Sequence, residues 1–168
     1  MCYVLLAAGN ETTRNLISRA VIQLVDHPDQ LDRLRDGGDI RTAIEELMRW
    51  TSPVIHMART ATDDVEMRGQ LIKAGDQVVM FYGAANRDHR AFGPTAEELD
   101  VSRDPNPQLG FGFGTHYCLG ASLARLEAAA VLGQLVERFR RWEVVGPVEP
   151  LQSTMIRGIK HLPAVLDA

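Results

Sequence analysis

The run from Phe111 to Gly120, Phe-Gly-Phe-Gly-Thr-His-Tyr-Cys-Leu-Gly, sets one cysteine among glycines, two residues past a histidine and just ahead of a helical pattern. A lone cysteine is most often a small buried hydrophobe. Cys118 has surroundings that suit a thiolate instead. Gly112 and Gly114 let the backbone curl tightly, and Gly120 lets another body approach closely. The apolar-periodic stretch from Leu119 to Phe139 puts Cys118 at a helix N-terminus, where the macrodipole and free amides favour a negative sulfur. A thiolate held in this way beside an aromatic ring is suited to be a strong axial donor to a haem iron.

Two further groupings carry chemistry-bearing residues. Ala8-Gly9-Asn10-Glu11-Thr12-Thr13 interrupts an apolar helical pattern. Glycine inside a helix costs about 1 kcal/mol relative to alanine, so this cluster needs a reason. Taken alone, it reads as a polar stripe facing solvent. Glu46 and Arg49 stand three apart on a later helical pattern, where side chains meet on one face. Taken alone, that pair is a surface salt bridge of little energetic value.

The elements that must position these residues can be read from periodicity and turn chemistry. Tyr3 to Val25 is one helical pattern, with Leu16, Ala20 and Leu24 on one face. His27-Pro28 ends it, and a short helix over Pro28 to Arg35 stops at Gly37-Gly38. Thr42-Ala43-Ile44-Glu45 has the form of a capping box, opening a helix that runs to Trp50 before Pro53. Segments 54–62, 64–68, 70–73 and 77–82 are short, β-rich and separated by turn residues, as in a small antiparallel sheet. Residues 83–117 are mostly irregular, and so long a stretch is usually functional. Leu119 to Arg140 is a second long helix, with closing strands expected at 142–146, 153–157 and 162–166.

Composition bounds the rest. A chain of 168 residues with 45% hydrophobic and 24% charged residues is an ordinary single globular domain. A net charge of −4 gives no reason to expect nucleic acid or a membrane surface as a partner. Two cysteines, Cys2 and Cys118, make no disulfide framework and fit a reducing compartment, hence a cytoplasmic location. The apolar start, Cys2-Tyr3-Val4-Leu5-Leu6-Ala7-Ala8, has neither the charged leader of a signal peptide nor the length of a membrane span. It reads as the middle of a buried helix.

The 111–120 run resembles the cysteine-ligand loop of the cytochrome P450 family: Phe111, Gly114, His116, Cys118 and Gly120 fill its fixed positions. The resemblance extends over essentially the whole chain, which matches only the C-terminal part of the family's longer members. It implies a mainly α fold with small antiparallel β-sheets, residues 1–168 being a partial domain whose N-terminal half is absent. It also implies haem b, bound at Ala8, Gly9, Arg59, Phe111, Gly112, Gly114, His116, Cys118 and Gly120, with Cys118 on the iron. Arg59 and His116 match the propionate-binding positions. Ala8-Gly9 matches the pair that lets the distal helix bulge to leave an oxygen-sized groove, and Glu11 and Thr12 match the acid and threonine that deliver protons. Glu46, Arg49 and Arg103 match a structural triad that holds the irregular segment.

The activity so implied is insertion of one atom of dioxygen into a C–H bond of a lipophilic small molecule, of the sterol or branched-lipid kind. Substrate would face Val4 to Ala8, Val54 to Met57 and Thr154 to Ile156. Electrons would come from a separate ferredoxin-type donor, steered by Arg125, Arg138, Arg140 and Arg141. The alternative is a truncated haem-binding fragment without activity of its own. A cysteine hydrolase using Cys118 and His116 would leave the Glu46, Arg49 and Arg103 set unexplained.

Overall fold

Leu16, Ala20 and Leu24, expected on one helix face, are all fully buried, and they define the centre of the molecule. The structure, a computed structural model, describes residues 2–167, with side chains from Ala8 onward. The long helix α1 spans Cys2–Asp26, α2 Pro28–Arg35, α3 Ile40–Thr51 and α6 Ala121–Arg138. Two single-turn helices, α4 (Tyr82–Ala85) and α5 (His89–Phe92), lie in the segment between. Helices α1, α3 and α6 pack on one another. Ile44 and Leu47 of α3 and Ala128 and Leu132 of α6 close on the α1 face. Each fully buried leucine contributes about 1.5–3 kcal/mol, so this three-helix contact is the main source of cohesion.

The ends of α3 show how local chemistry sets its position. Asp39 caps the N-terminus: its carboxylate accepts from the amides of Arg41 at 3.3 Å and Thr42 at 3.0 Å, and from the Thr42 hydroxyl at 2.7 Å. The capping box read at Thr42 to Glu45 is therefore misplaced by three residues, and Thr42 serves the true cap. Glu45 is occupied elsewhere. At the other end Ser52 takes a left-handed conformation, with its amide bonded to the Met48 carbonyl.

The small sheet expected over 54–82 is two separate antiparallel ladders. β1 (His56–Thr60) pairs with β4 (Gln77–Phe81), and β2 (Val65–Met67) pairs with β3 (Gln70–Ile72). Arg68 and Gly69 join β2 to β3, both at positive φ, the geometry that matches strand twist in a two-residue hairpin loop. Near the C-terminus β5 (Arg141–Val144) pairs with β8 (Ala164–Asp167), and β6 (Glu149–Pro150) with β7 (Ile159–His161). The strand expected at 153–157 is a loop. Ser153 Oγ captures the amides of Met155 and Ile156, which leaves a single bridge from Ile156 to Val54.

Candidate functional site

The site is built outward from α3. Arg49 and Glu46 are 0% exposed, and their paired forks meet at 2.7 Å through both Nε and Nη2. The remaining Arg49 protons go to the carbonyls of Asn86, Ala96 and Glu98 at 2.7–2.8 Å. All five guanidinium N–H groups are thus used. Arg103 Nε reaches both Glu46 oxygens at 3.1–3.2 Å, and its other nitrogens hold Thr95 and the Glu98 carbonyl. Glu46 also accepts from Asn106 and from the Asp100 amide, each at 2.9 Å. The three residues expected to act together do meet. Burying Glu46 and Arg49 is tolerable because all five Arg49 donors and both Glu46 oxygens are matched.

This network grips the irregular segment at several places. Asn86 is the relay: its amide donates to Ser52 Oγ at 2.9 Å, and its carbonyl oxygen accepts from the Leu109 amide at 2.8 Å. Leu109 stands two residues ahead of Phe111, where the cysteine loop begins. Asn86 and Asn106 were missed in the sequence because their partners lie far along the chain, and Thr95, eight positions from Arg103, has no helical or strand spacing to mark it. The Pro-Asn-Pro run at 105–107 is the one local hint.

The cysteine loop itself is a tight turn. Gly112 and Gly114 sit at positive φ, 77° and 67°, where any other residue would be strained. The Cys118 amide donates to the Phe111 carbonyl at 2.9 Å, closing the turn, while Phe111 is buried beneath it. Helix α6 starts later than expected. Gly120 is its N-cap and Cys118 lies two residues ahead, its carbonyl accepting from the Ala121 amide. The thiol is free and exposed. Beside it Phe113 and Leu119 are 85% and 87% exposed, an apolar surface with nothing over it.

These residues fit a haem. One exposed thiol supplies a single axial donor, and a methyl added at Gly9, Gly114 or Gly120 would meet nothing within 4 Å, so the nearby backbone leaves open space. Arg59 and His116 are exposed and have no acidic partner among the described residues. An arginine without a counter-ion and a histidine N–H donor suit a group bearing two carboxylates.

The distal cluster lies on α1, whose helical assignment runs unbroken through Ala8-Gly9. The Thr12 hydroxyl donates to the Ala8 carbonyl at 2.6 Å, a back-bond available to threonine inside a helix. Glu11 is half-buried and pairs with Arg14 at 2.6 Å. The side chains of Val4 to Ala7 lie outside the described residues. Of the other expected substrate-facing positions, Val54 to Met57 are half-buried and Thr154 and Met155 exposed.

Arg125, expected as a steering cation, is neutralised. It donates to both Glu45 oxygens, one at 2.9 Å, and to the Tyr117 hydroxyl at 3.0 Å. Burial pushes the Glu45 carboxyl up, but the hydrogen bonds from Arg125 and Gln108 and the Arg125 charge outweigh it and leave it below its ordinary value. The same Glu45 bond raises the Arg125 guanidinium, against burial. Arg141 pairs with Glu143, while Arg138 and Arg140 remain exposed.

The described residues thus present an exposed thiol on a glycine turn, connected through Asn86 and Leu109 to a sealed ion network. The family model for cytochrome P450 matches residues 40–162. The methyl-branched lipid omega-hydroxylase of Mycobacterium bovis is 47% identical over 165 residues, covering 95% of this chain and 38% of that protein. The biotin biosynthesis cytochrome P450 of Bacillus subtilis is 48% identical over 138 residues, covering 82% of this chain and 35% of that protein. The crystal structure of P450BioI with an acyl carrier protein ligated to hexadec-9Z-enoic acid superposes with a TM-score of 0.94 at 39% identity, over 99% of this chain and 44% of that one. The chain belongs to the cytochrome P450 family, whose prosthetic group is haem b. It spans about two-fifths of the length of the curated relatives it matches.

Proposed function

We propose that residues 1–168 are the haem-carrying C-terminal part of a cytoplasmic monooxygenase acting on a lipophilic small molecule. The observation that carries this is the exposed Cys118 thiol, held by the Phe111 carbonyl beside an uncovered apolar surface. The named relatives support a lipid or fatty-acyl substrate, one being a methyl-branched lipid hydroxylase and another binding a fatty acyl carrier protein.

Cys118 would hold the haem iron, and Arg59 and His116 its propionates. When bound, haem supplies the redox and dioxygen chemistry, with electrons from a separate ferredoxin-type donor. The chain supplies the rest. Leu119 and Phe113 offer apolar area that keeps water from the ligand side. Thr12 Oγ1 donates its proton to Ala8, so its lone pairs are left to accept a bond from a water. Glu11, partly open to solvent beside Arg14 and one residue away on the same helix, would join the proton path through a water held by Thr12. Arg138 and Arg140, rather than Arg125, are the cations left to steer an acidic donor.

The test supplies the haem-loaded chain with a ferredoxin, its reductase, a branched-chain fatty acid and isotopically labelled dioxygen. Label in a hydroxylated product is expected, with fewer products per reducing equivalent in Thr12→Ala. The chain's short span relative to the curated proteins favours a second reading, a haem-binding fragment without activity of its own. Haem uptake with no labelled product would select it.

A further inference from the structure

Glu45 and Arg125 are separated by 80 positions, and both were given other roles by sequence reasoning. In the structure they meet beside the cysteine loop, and their further side-chain hydrogen bonds and ring contact go to that loop and to Gln108 just ahead of it. Arg125 Nη1 donates to the Tyr117 hydroxyl at 3.0 Å, one residue before Cys118. The Arg125 guanidinium stacks 4.3 Å from the centroid of the Phe111 ring, whose backbone carbonyl holds the Cys118 amide. Glu45 accepts from the Gln108 amide at 2.9 Å, and Gln108 in turn accepts from the Gly110 amide at 2.6 Å. The loop is thereby held near its start, at its buried ring and beside its cysteine.

We propose that the Glu45–Arg125 pair is a clamp that positions Cys118 by fixing Gln108, Phe111 and Tyr117 against α3 and α6. The planar fork is required. It meets both oxygens of Glu45 while one Nη still reaches Tyr117 and the flat face covers Phe111. A lysine keeps the charge but can do only one of these. The clamp is distinct from the Glu46 network, which reaches the loop through Asn86 and Leu109 on another side. It rests on the haem-thiolate reading only for what the thiol holds.

The test uses the full chain with Cys2→Ser, so that Cys118 is the one thiol. In the haem-free form, hydrogen exchange of the Cys118 and Gly110 amides and the rate of Cys118 alkylation are measured. In the haem-loaded form, the fraction of thiolate-type reduced carbonyl complex is measured. Arg125→Lys is expected to raise loop exchange and alkylation about tenfold, the loss of one charge-assisted bond, while amides of α1 and α3 stay at their original rates. Tyr117→Phe, which removes only a hydroxyl, gives a smaller rise of the same kind. Pairing Glu45→Arg with Arg125→Glu restores part of the protection that either change alone removes.

In the haem-loaded form Arg125→Lys lowers the thiolate-type fraction without lowering the amount of haem bound. Original loop exchange in both Arg125→Lys and Tyr117→Phe would overturn the clamp, as would exchange rising equally everywhere. Should the unaltered chain itself give no thiolate-type complex, the haem-thiolate reading fails, and loop exchange in the haem-free form still decides the clamp.

Discussion

The segment between β4 and α6 is anchored at both ends, and the two ends are built in opposite ways. Toward its start, Asn86, Ala96, Glu98 and Arg103 close around Glu46 and Arg49, which are wholly sealed from solvent. Toward its end, the loop from Phe111 to Gly120 leaves a thiol, an aromatic ring, a leucine and a histidine open. The first region is complete in itself, since each charge has its partner within the chain. The second leaves groups of several kinds exposed on one loop. A buried network of this sort fixes a shape; an open face of this sort awaits something to cover it. The scaffold and the chemistry are thus divided along one stretch of chain.

The contrast can be broken first at the sealed end. Arg49→Ala leaves Glu46 as a buried charge that has lost its main partner and frees three carbonyls, so it should destabilise the chain by about 3–5 kcal/mol. The midpoint of urea unfolding measures this, and an unchanged midpoint would mean that the network is incidental. Asn86→Ala removes the relay to Leu109 and should cost about 1–3 kcal/mol. Here hydrogen exchange at the Leu109 amide should quicken by more than exchange in α1 does. At the open end, Cys118→Ala removes an exposed side chain and should move haem-free stability by less than about 0.5 kcal/mol. A large loss there would show that the thiol has a structural task.

Much of this division was legible in the sequence. The bounds of α2 and the apolar face of α1 follow from Pro28, Gly37 and a four-residue spacing, which are local signals. The Glu46, Arg49 and Arg103 set and the cysteine loop were legible through their resemblance to a family pattern. What escaped has two physical causes. Thr42 and Glu45 have the spacing of a capping box, but Asp39 offers the α3 amides a shorter route and Arg125 offers Glu45 a charge-assisted pair. Asn86 carries no local pattern, and Ser153 turned an expected strand into a loop with a single hydroxyl. Distant partners decide Glu45 and Asn86, while at Asp39 and Ser153 a local side-chain oxygen captures the amides; hydrophobic periodicity sees neither.

The smallest effect separates the half-exposed carboxylates from the sealed one. Burial pushes the Asp100 carboxyl up, yet the Ser102 hydrogen bonds with Arg33 and Arg103 hold it below its ordinary 3.8. Glu45 likewise lies below its ordinary 4.5. Groups depressed in the folded state add stability above their unfolded values, and that contribution disappears as pH falls through the folded values. The urea midpoint should therefore drop as pH falls below about 5, and Glu45→Gln should flatten part of that drop. An identical pH profile in Glu45→Gln would place the acid sensitivity elsewhere.

The central claim is that Cys118 is the thiolate donor on the open face. The direct measurement is the absorption spectrum of the haem-loaded, reduced chain under carbon monoxide, beside that of Cys118→Ala. The unaltered chain should give the thiolate-type Soret band, and the variant should lose it while remaining folded. A thiolate-type band that persists in Cys118→Ala would contradict the account.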